Sequence, residues 1–513
     1  MSSEIYKTIT PLQRVLITFV VMAATLMQVI DTTIVNVALP HMQGALSASP
    51  DEITWTLTSY LVASAIFMPL TGYLSDMLGR KFYLFISIAG FTFVSALCGA
   101  SVNLTEMVAF RLLQGVFGAA LVPLSQAIMT DIFPPEERTR AMAIWGIGVM
   151  VGPILGPTLG GYLTDVASWR WTFYVNVPVG VFTLLFMYVI PDSPKKHRQM
   201  DWLGVILICT AIGGLQYVID RGNSADWFAS GKIMFAAYLT VACFLGYLLH
   251  QYNNSRDSVF DLRIFKDKNF AIASFMLCIV GLGLYGTMVI QPIMMQSFLN
   301  YPVLTTGLWL APRGISGMIS MVVVTQLAKR LDPRWIILLG ILICTTGIWA
   351  GTYYSLYTNT FWLVWPMVLQ GFGMGMIFVP LSTIAFSTLE HHLRTEAAGL
   401  YSLLRTIGGS IGISIAITVY TRRSQEFWNQ LGGSITQYNP AVYQYLQPLH
   451  LTPDSPLGSM LLSNELMRQS SMLAFVNVFA FVAGSFLLMA PLVLLVDKSK
   501  RKTVEPVVPD EKV

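Results

Sequence analysis

The chain has 513 residues, of which 54% are hydrophobic and only 11% are charged, and its mean hydropathy is +0.62. Soluble domains are far less apolar, so this composition excludes a soluble protein and indicates an integral membrane protein. The net charge of +4 does not favour nucleic acid as a partner, because the basic residues lie in particular loops, as expected of a membrane protein.

Hydrophobic runs of about 20 residues recur along the chain, each long enough to cross a hydrocarbon core of about 30 Å. The first is too long for a signal-peptide core and lacks a cleavage site, so we expect it to be retained. In chain order the fourteen predicted spans are 14–38, 53–72, 82–101, 105–128, 141–164, 171–190, 202–219, 231–249, 270–294, 304–328, 334–355, 361–387, 397–420 and 471–496.

Lysine and arginine are concentrated in alternate loops, which predicts the side of the membrane on which each loop lies. The basic loops share a side with the N-terminus and with the C-terminal tail 497–513. We therefore expect both termini in the cytoplasm, which requires an even number of spans.

An internal repeat divides the chain. "LQGVFGAALVPLS" from Leu113 resembles "LQGFGMGMIFVPLS" from Leu369, and "AMAIWGIGVMVGPILG" from Ala141 aligns with "AAGLYSLLRTIGGSIG" from Ala397, both 256 positions apart. A looser third pair begins at Gly72 and Thr325. The repeat predicts two parallel six-helix halves, 14–190 and 270–496, separated by an inserted helix pair at 201–250. Two such halves form a cavity between them that opens alternately to each side.

Charged residues inside predicted spans are the strongest functional signal, because each costs about 2.5–3.5 kcal/mol at a helix centre. Asp31 is predicted to be the only deep acid, and Arg111, Arg313 and Arg405 the deep cations. Asp31 and Arg111 lie at similar depths in the same half, so we expect them to pair. The pair either switches with protonation or is a static contact that orders the first and fourth helices.

The helical face around Asp31 is predicted to line the central cavity. It carries Ala24, Met27, Gln28, Val35 and Ala38. The candidate cavity residues from this face and from other spans are Met27, Gln28, Gln114, Arg313 and Arg405.

Several motifs resemble those of the major facilitator superfamily, and within it the fourteen-spanner drug:proton antiporters of the EmrB/QacA type. "IDTTIVNVALP" and "RLLQG" resemble the first-helix and fourth-helix signatures, and "GYLSDMLGRK" resembles the cytoplasmic signature between helices two and three. The last motif predicts a cytoplasmic latch between the halves, or simply a connecting turn. Its residues are Gly72, Asp76, Gly79, Arg80 and Lys81, with Met77 where the family commonly has a basic residue.

"GPILGPTLGG" resembles the fifth-helix signature of antiporters. Glycines four apart allow another helix to approach closely, and each proline removes a backbone donor, so we expect a bending hinge that seals the cavity in preference to packing alone. Its residues are Gly152, Pro153, Gly156, Pro157, Gly160 and Gly161. "SWRWTFYVNVPVG", from Ser168, also looks familial, and no chemistry is assigned to it.

The resemblance implies proton-coupled efflux of hydrophobic compounds across a bacterial inner membrane, driven by the proton gradient without a cofactor. No GxxxxGK[ST] loop for a nucleotide occurs. EmrB-like pumps work with a periplasmic adaptor and an outer-membrane channel, and the outer loop 421–470 either helps to dock such a partner or is a disordered tether. The alternatives are a dedicated exporter of an endogenous metabolite such as a siderophore and, more remotely, a membrane enzyme or sensor without transport.

Overall fold

The computed structural model describes residues 9–48, 50–193, 195, 201–253, 262–389, 393–436 and 438–497, so the predicted tail beyond Asp497 lies outside the described residues. The described residues form a helical bundle. Its N-terminal half comprises α1 Pro11–Ala45, α2 Trp55–Phe67, α3 Thr71–Leu78, α4 Arg80–Ala100, α5 Leu104–Gly118, α6 Leu121–Ile132, α7 Arg138–Val166 and α8 Asn176–Leu185. The inserted pair is α9 Trp202–Gly222 and α10 Gly231–Asn253.

The C-terminal half repeats this arrangement, and two of its last helices are longer than their counterparts in the N-terminal half. It comprises α11 Lys268–Ile293, α12 Val303–Leu327, α13 Pro333–Ala350, α14 Thr360–Ser387, α15 Arg394–Gly432, α16 Pro440–Leu446, α17 Pro456–Leu487 and α18 Ala490–Leu495. Within the described residues, thirteen helical segments are long and apolar enough to cross a membrane, and a bent pair brings the number to fourteen. The predicted all-helical fold with two halves and an inserted pair is confirmed.

The second span is not one straight helix. Its two parts, α2 and α3, are inclined at 61° and separated by Met68, Pro69 and Leu70. Proline lacks the backbone donor that a continuous helix needs at that point and its ring clashes with the preceding turn, so the helix bends there. Gly79 then ends α3 with a φ of +84°, a conformation that glycine adopts without strain, and α4 begins at Arg80.

The predicted outer loop is largely helical. α15 continues to Gly432, α17 begins at Pro456, and the short helix α16 lies between them. Ser455 caps α17 by accepting a hydrogen bond from the Gly458 N–H. The prediction of a disordered tether is therefore wrong, because the two long helices extend well beyond the apolar residues that define their spans.

Glycines bring the first and fifth helices of each half together at matching positions. A Cβ on Gly152 or Gly156 of α7 would meet Val29 or Thr33 of α1. The residues 256 positions later, Gly408 and Gly412 of α15, face α11 in the same way, with the Leu282 carbonyl oxygen 2.1 Å from a Cβ built on Gly412. Both copies of the repeat therefore use the same small-residue seam.

The two halves meet along two seams. On one side α7 packs on α12 and α14, where the Trp145 ring stacks on Phe378 with 5.8 Å between ring centroids. On the other side α3 and α6 pack on α15, and the inserted helix α9 lies against both α2 and α15. The inserted pair thus touches both halves.

The segment "GPILGPTLGG" lies inside a continuous helix, because α7 runs unbroken through Pro153 and Pro157. The side chain of Pro153 lies outside the described part. The backbone carbonyl of Gly152 accepts a hydrogen bond of 3.2 Å from the Thr33 hydroxyl, and a Cβ on Gly160 would lie 2.7 Å from the Ile34 carbonyl oxygen. Close packing is therefore one role of the motif, and bending at the prolines stays a prediction.

Substitution of Gly156 by alanine should destabilise the protein by about 1–3 kcal/mol, because the new methyl group would lie 1.9 Å from the Thr33 Oγ1 and push α7 away from α1. The matched control is Gly484→Ala in α17, where no atom lies within 4 Å of the added Cβ. Thermal unfolding of the purified proteins in detergent checks this. Equal melting temperatures for the two variants would contradict the seam.

Candidate functional site

Asp31 lies at the centre of a buried polar network in the N-terminal half. Its side chain on α1 is fully buried. Arg111 Nη1 of α5 donates to Asp31 Oδ2 at 2.7 Å, Gln114 Nε2 of α5 donates to Oδ1 at 3.0 Å, and Asn176 Nδ2 of α8 donates to Oδ1 at 3.1 Å. The carboxylate thus has a cation and two amide donors from the fourth and sixth spans.

The Arg111 guanidinium is held from several sides. Its Nε donates to the Thr56 carbonyl oxygen at 2.9 Å, and its Nη1 also donates to Gln114 Oε1 at 2.6 Å. The guanidinium carbon lies over the ring of Tyr60, 4.3 Å from the centroid, and 5.7 Å from that of Phe173. Aromatic faces attract a desolvated cation, which favours burial of Arg111 in this position.

The predicted partnership of Asp31 and Arg111 agrees with this geometry, whereas the predicted cavity lining does not. All five residues of the Asp31 face are buried, Met27 and Gln28 among them. Gln28 Oε1 accepts a hydrogen bond of 3.0 Å from the Val122 backbone N–H of α6. A helical wheel shows which residues share a face but not which helix covers it. Here α6 packs against α1 and contacts Gln28, and α5 reaches Asp31 through Arg111 and Gln114.

Asn176 is the network residue that the sequence interpretation missed. It belongs to "YVNVPVG", a segment to which no chemistry was assigned, although an amide within an apolar span was the available signal. Ser95 of α4 was also missed, and its hydroxyl accepts from Gln114 Nε2 at 2.7 Å. Polar groups inside a membrane protein are satisfied by one another, so an acid implies nearby polar residues from other spans.

Asp31 is also not the only acid within a span. The helix α9 extends beyond the predicted end at residue 219, so it includes Asp220 in its last turn. Gln216 Nε2 donates to both carboxylate oxygens of Asp220, at 3.1 and 3.2 Å. The predicted span left Asp220 out because the apolar run ends before the helix does. Asp220 lies in the last turn, so the prediction that Asp31 is the only acid deep in a helix stays a prediction.

The C-terminal half carries a polar cluster of opposite charge. Arg313 of α12 donates to Thr287 Oγ1 and to Gln291 Oε1, both at 3.0 Å, and Gln291 Nε2 donates to Gln370 Oε1 at 3.3 Å. Thr287 and Gln370 lie 256 positions after Asp31 and Gln114. The repeat therefore has a hydroxyl where the first half has a carboxylate.

Neither of the deep arginines in this half forms an ion pair with an acid among the described residues. Arg405 of α15 is 7% exposed and its Nε has no hydrogen-bond partner there. A buried guanidinium strongly favours a nearby anion or acceptor. Arg313 with its neutral acceptors is thus the positively charged counterpart of the Asp31 network, and Arg405 is a separate buried cation.

The predicted latch joins the two halves through an acid that the sequence interpretation missed. Asp131, near the end of α6, accepts hydrogen bonds from Arg80 Nη1 of the N-terminal half and from Arg394 Nη1 of the C-terminal half, the latter at 3.1 Å. Gly72 is needed there, because a Cβ would lie 2.6 Å from the Glu396 Cα.

The other latch residues have different surroundings. Lys81 Nζ lies 3.4 Å from Asp192 Oδ1 within the same half, and Asp76 lies in α3 one turn before Gly79. The ion pair that crosses between the halves is therefore Asp131–Arg394, and Arg80 shares the same carboxylate from within the N-terminal half. Lys81 pairs within its own half.

The family model described as Major Facilitator Superfamily matches residues 21–413. The chain belongs to the major facilitator superfamily.

Its relatives in this superfamily include multidrug exporters. The multidrug export protein EmrB of Escherichia coli is 34% identical over 489 residues, which are 94% of this chain and 95% of that protein. The fatty acid resistance protein FarB of Neisseria gonorrhoeae is 32% identical over 485 residues, 92% of this chain and 94% of that protein. The resemblance to EmrB-type transporters that the motifs predicted is confirmed.

Solved structures of the superfamily share the fold. The proton:xylose symporter XylE matches with a TM-score of 0.60 over 94% of this chain and 99% of its own, and the human organic anion transporter MFSD10 matches with a TM-score of 0.60 over 94% and 100%. Both are 15% identical in sequence, so the likeness concerns the fold alone.

Replacing Asp131 by asparagine should lower the free energy of unfolding by roughly 3–5 kcal/mol, because Arg80 and Arg394 lose the anion that they share. Asp192→Asn is the matched control, since this carboxylate is 87% exposed in its ion pair with Lys81 and should contribute little. Melting temperatures in detergent test both. If the control fell as far as Asp131→Asn, the latch would not depend on the buried bridge.

Proposed function

We propose that the chain is a multidrug efflux transporter that exchanges protons for hydrophobic or amphipathic compounds across the bacterial cytoplasmic membrane by alternating access. The EmrB-type relatives and the superfamily fold support export of drugs. The latch end of the bundle, where Arg80, Asp131 and Arg394 meet, faces the cytoplasm in this proposal, as do both termini. The positive charge of the alternate loops supports this orientation.

The buried Asp31 network is the observation that carries proton coupling. An ionised Asp31 neutralises Arg111 and accepts hydrogen bonds from α5 and α8. Protonation removes the negative charge but leaves Arg111 charged, so the contacts among the first, fourth and sixth spans must rearrange. A carboxylate that exchanges protons with each side in turn can couple the gradient to movement of the halves.

The charge of the central residues favours neutral or weakly acidic substrates. Arg313 and Arg405 have no acidic partner among the described side chains, and a carboxylate or phenolate group would supply one. The relative FarB, named for fatty acid resistance, is consistent with this class. A dedicated exporter of an endogenous metabolite such as a siderophore would use the same residues. Comparing efflux of weak-acid uncouplers and dyes with the metabolites that the native cell loses separates the two.

Substitution of Asp31 by asparagine should abolish coupled transport. In everted membrane vesicles energised by a pH gradient, uptake of a fluorescent hydrophobic dye and the accompanying proton flux should both fall to background, because position 31 can no longer release a proton. Asp165→Asn, at an exposed position of α7, is the matched control and should transport normally.

If the Asp31–Arg111 ion pair were only a static contact, removing both of its charges would leave uphill transport intact. The double variant Asp31→Asn/Arg111→Gln removes the unpaired cation together with the acid, so it should retain the fold, measured by size-exclusion chromatography and melting temperature. If Asp31 is the coupling group, this variant still shows no uphill transport. Full uphill transport by either variant would refute proton coupling at Asp31.

We further propose that the outer helical region between residues 421 and 470 helps to dock a periplasmic adaptor, which would connect the transporter to an outer-membrane channel. It borders an open pocket of about 370 Å³ lined by Trp428, Val442 and Leu466, and Tyr438, close to it in the sequence, is 92% exposed. An ordered region with exposed aromatic side chains suits protein recognition better than a flexible connection does.

Replacement of residues 434–455 by a short Gly/Ser linker should leave dye transport in vesicles intact but remove drug resistance in whole cells that express the native adaptor and channel. Resistance needs export beyond the periplasm, whereas vesicle transport does not. A control that replaces the exposed Tyr438 by phenylalanine keeps the aromatic surface and should keep resistance. Equal loss of transport and resistance on deletion would indicate a structural role instead.

A further inference from the structure

The inserted helix α9 lies in the seam between the halves and contacts each half through a different kind of interaction. Against α2 of the N-terminal half the contact is close and mainly apolar, since a Cβ on Gly213 would lie 2.8 Å from Ile66. Against α15 of the C-terminal half the contact is polar. Gln216 Nε2 donates to the Ser410 hydroxyl, and Thr418 Oγ1 donates to Asn223 Oδ1 at 3.0 Å.

Asp220 lies within this polar contact. Gln216 and Asp220 are one turn apart on the same face of α9, and Asn223 directly follows the helix. Ser410, Ser414 and Thr418 share a face of α15. The two helices run parallel at this seam, because Gln216 contacts Ser410 and the later residue Asn223 contacts the later residue Thr418. Asp220 therefore lies between these two contacts.

A carboxylate is not needed to hold two helices together in a membrane, because hydroxyl and amide side chains already do so. The charged groups near Asp220 are few. Arg221 follows Asp220 on the same helix, and its guanidinium lies over the Trp55 ring, 4.2 Å from the centroid. The only ionisable residue of α2 is Tyr60. On α15 the nearest cations along the sequence are Arg405 and Arg422, beyond the two ends of the polar stripe, and α10 begins with the exposed Lys232.

The seam also contains buried polar atoms that have no hydrogen-bond partner among the described residues. They are Gln216 Oε1, on a side chain that is 1% exposed, and Ser414 Oγ, on one that is 7% exposed. Static helix contacts rarely leave such atoms unused. Gln216 is one helical turn before Asp220, so its free carbonyl oxygen is an acceptor within reach if Asp220 gains a proton and the amide rotates.

We propose that Asp220 is a second proton-binding carboxylate and that its protonation releases the inserted helix α9 from α15. In the ionised state Gln216 Nε2 bridges Asp220 and Ser410, and the charge strengthens the bridge. In the protonated state the new O–H of Asp220 donates to Gln216 Oε1 within α9. The amide then turns away from Ser410, and α9 remains packed on α2 while α15 is free to move.

The ligand of this site is a proton, and its binding can be measured without any substrate. Infrared difference spectra of the protein in lipid nanodiscs, recorded across a pH titration, should contain a protonated-carboxyl band that Asp220→Asn removes. Asp226→Asn, an exposed acid in the turn after α9, is the matched control and should leave that band in place. Asp31→Asn should also leave it, so failure of this proposal is distinguishable from failure of coupling at Asp31.

The release step is tested by the distance between spin labels on two exposed positions, Ser224→Cys just beyond α9 and Thr421→Cys in the part of α15 that follows Thr418. The five native cysteines are replaced first. The distance should lengthen at acid pH in the otherwise native protein. Asp220→Asn, which imitates the protonated state, should show the longer distance at every pH, and Asp220→Glu should restore the pH dependence.

Two results would overturn the proposal. One is a carboxyl band that persists unchanged in Asp220→Asn, and the other is a spin-label distance with the same pH dependence in Asp220→Asn as in the native chain. Size-exclusion chromatography and melting temperatures establish that each variant is folded. If Asp220→Asn does not fold, the titration of Asp220→Glu decides, because a proton-binding site should retain a carboxyl band and the pH-dependent distance.

Discussion

The buried ion pair between Asp31 and Arg111 constrains how the helices of the N-terminal half are arranged. Neither side chain can be left alone in an apolar bundle, so α1, α5 and α8 must stay close enough to supply the guanidinium and the amides of Gln114 and Asn176. The glycines of α7 then allow α1 to be packed tightly from its other side. The same helix thus carries the buried carboxylate and the close contact with glycines that keeps its position fixed.

The duplicated scaffold contains an asymmetric distribution of charge. Both halves use glycines at matching positions to join their first and fifth helices, but Asp31 corresponds to Thr287. The first half therefore contains an acid whose charge is balanced, whereas the second contains Arg313 beside neutral acceptors. In the proposed mechanism the proton therefore belongs to one half, and the other half carries a cation that a substrate with an acidic group can neutralise without competing for Asp31.

Much of the fold could be predicted from the sequence because apolar runs of span length and a repeat at a fixed offset are local patterns. The Asp31–Arg111 pair was predictable for a similar reason, since equal depth in the membrane limits which charges can meet. Asn176 and Asp131 could not be found this way, because only the arrangement of helices brings them to their partners. Asp220 was missed because a helix can continue beyond its apolar segment, and the hydrophobic pattern shows only the segment.

The polar contacts that cross between the halves converge on α15. At the latch end Arg394 binds Asp131, and further along Ser410 and Thr418 contact the inserted helix. The opposite seam, where α7 meets α12 and α14, includes the stacked Trp145 and Phe378 and the contact of Gly146 with Met321. Apolar surfaces can slide with little change in energy, whereas hydrogen bonds and ion pairs must break. In the proposed alternating-access mechanism, the energy that separates the two conformations should therefore lie mainly along α15. Asp131 of α6 holds this helix directly, and Gln216 of α9, itself bonded to Asp220, holds it further along.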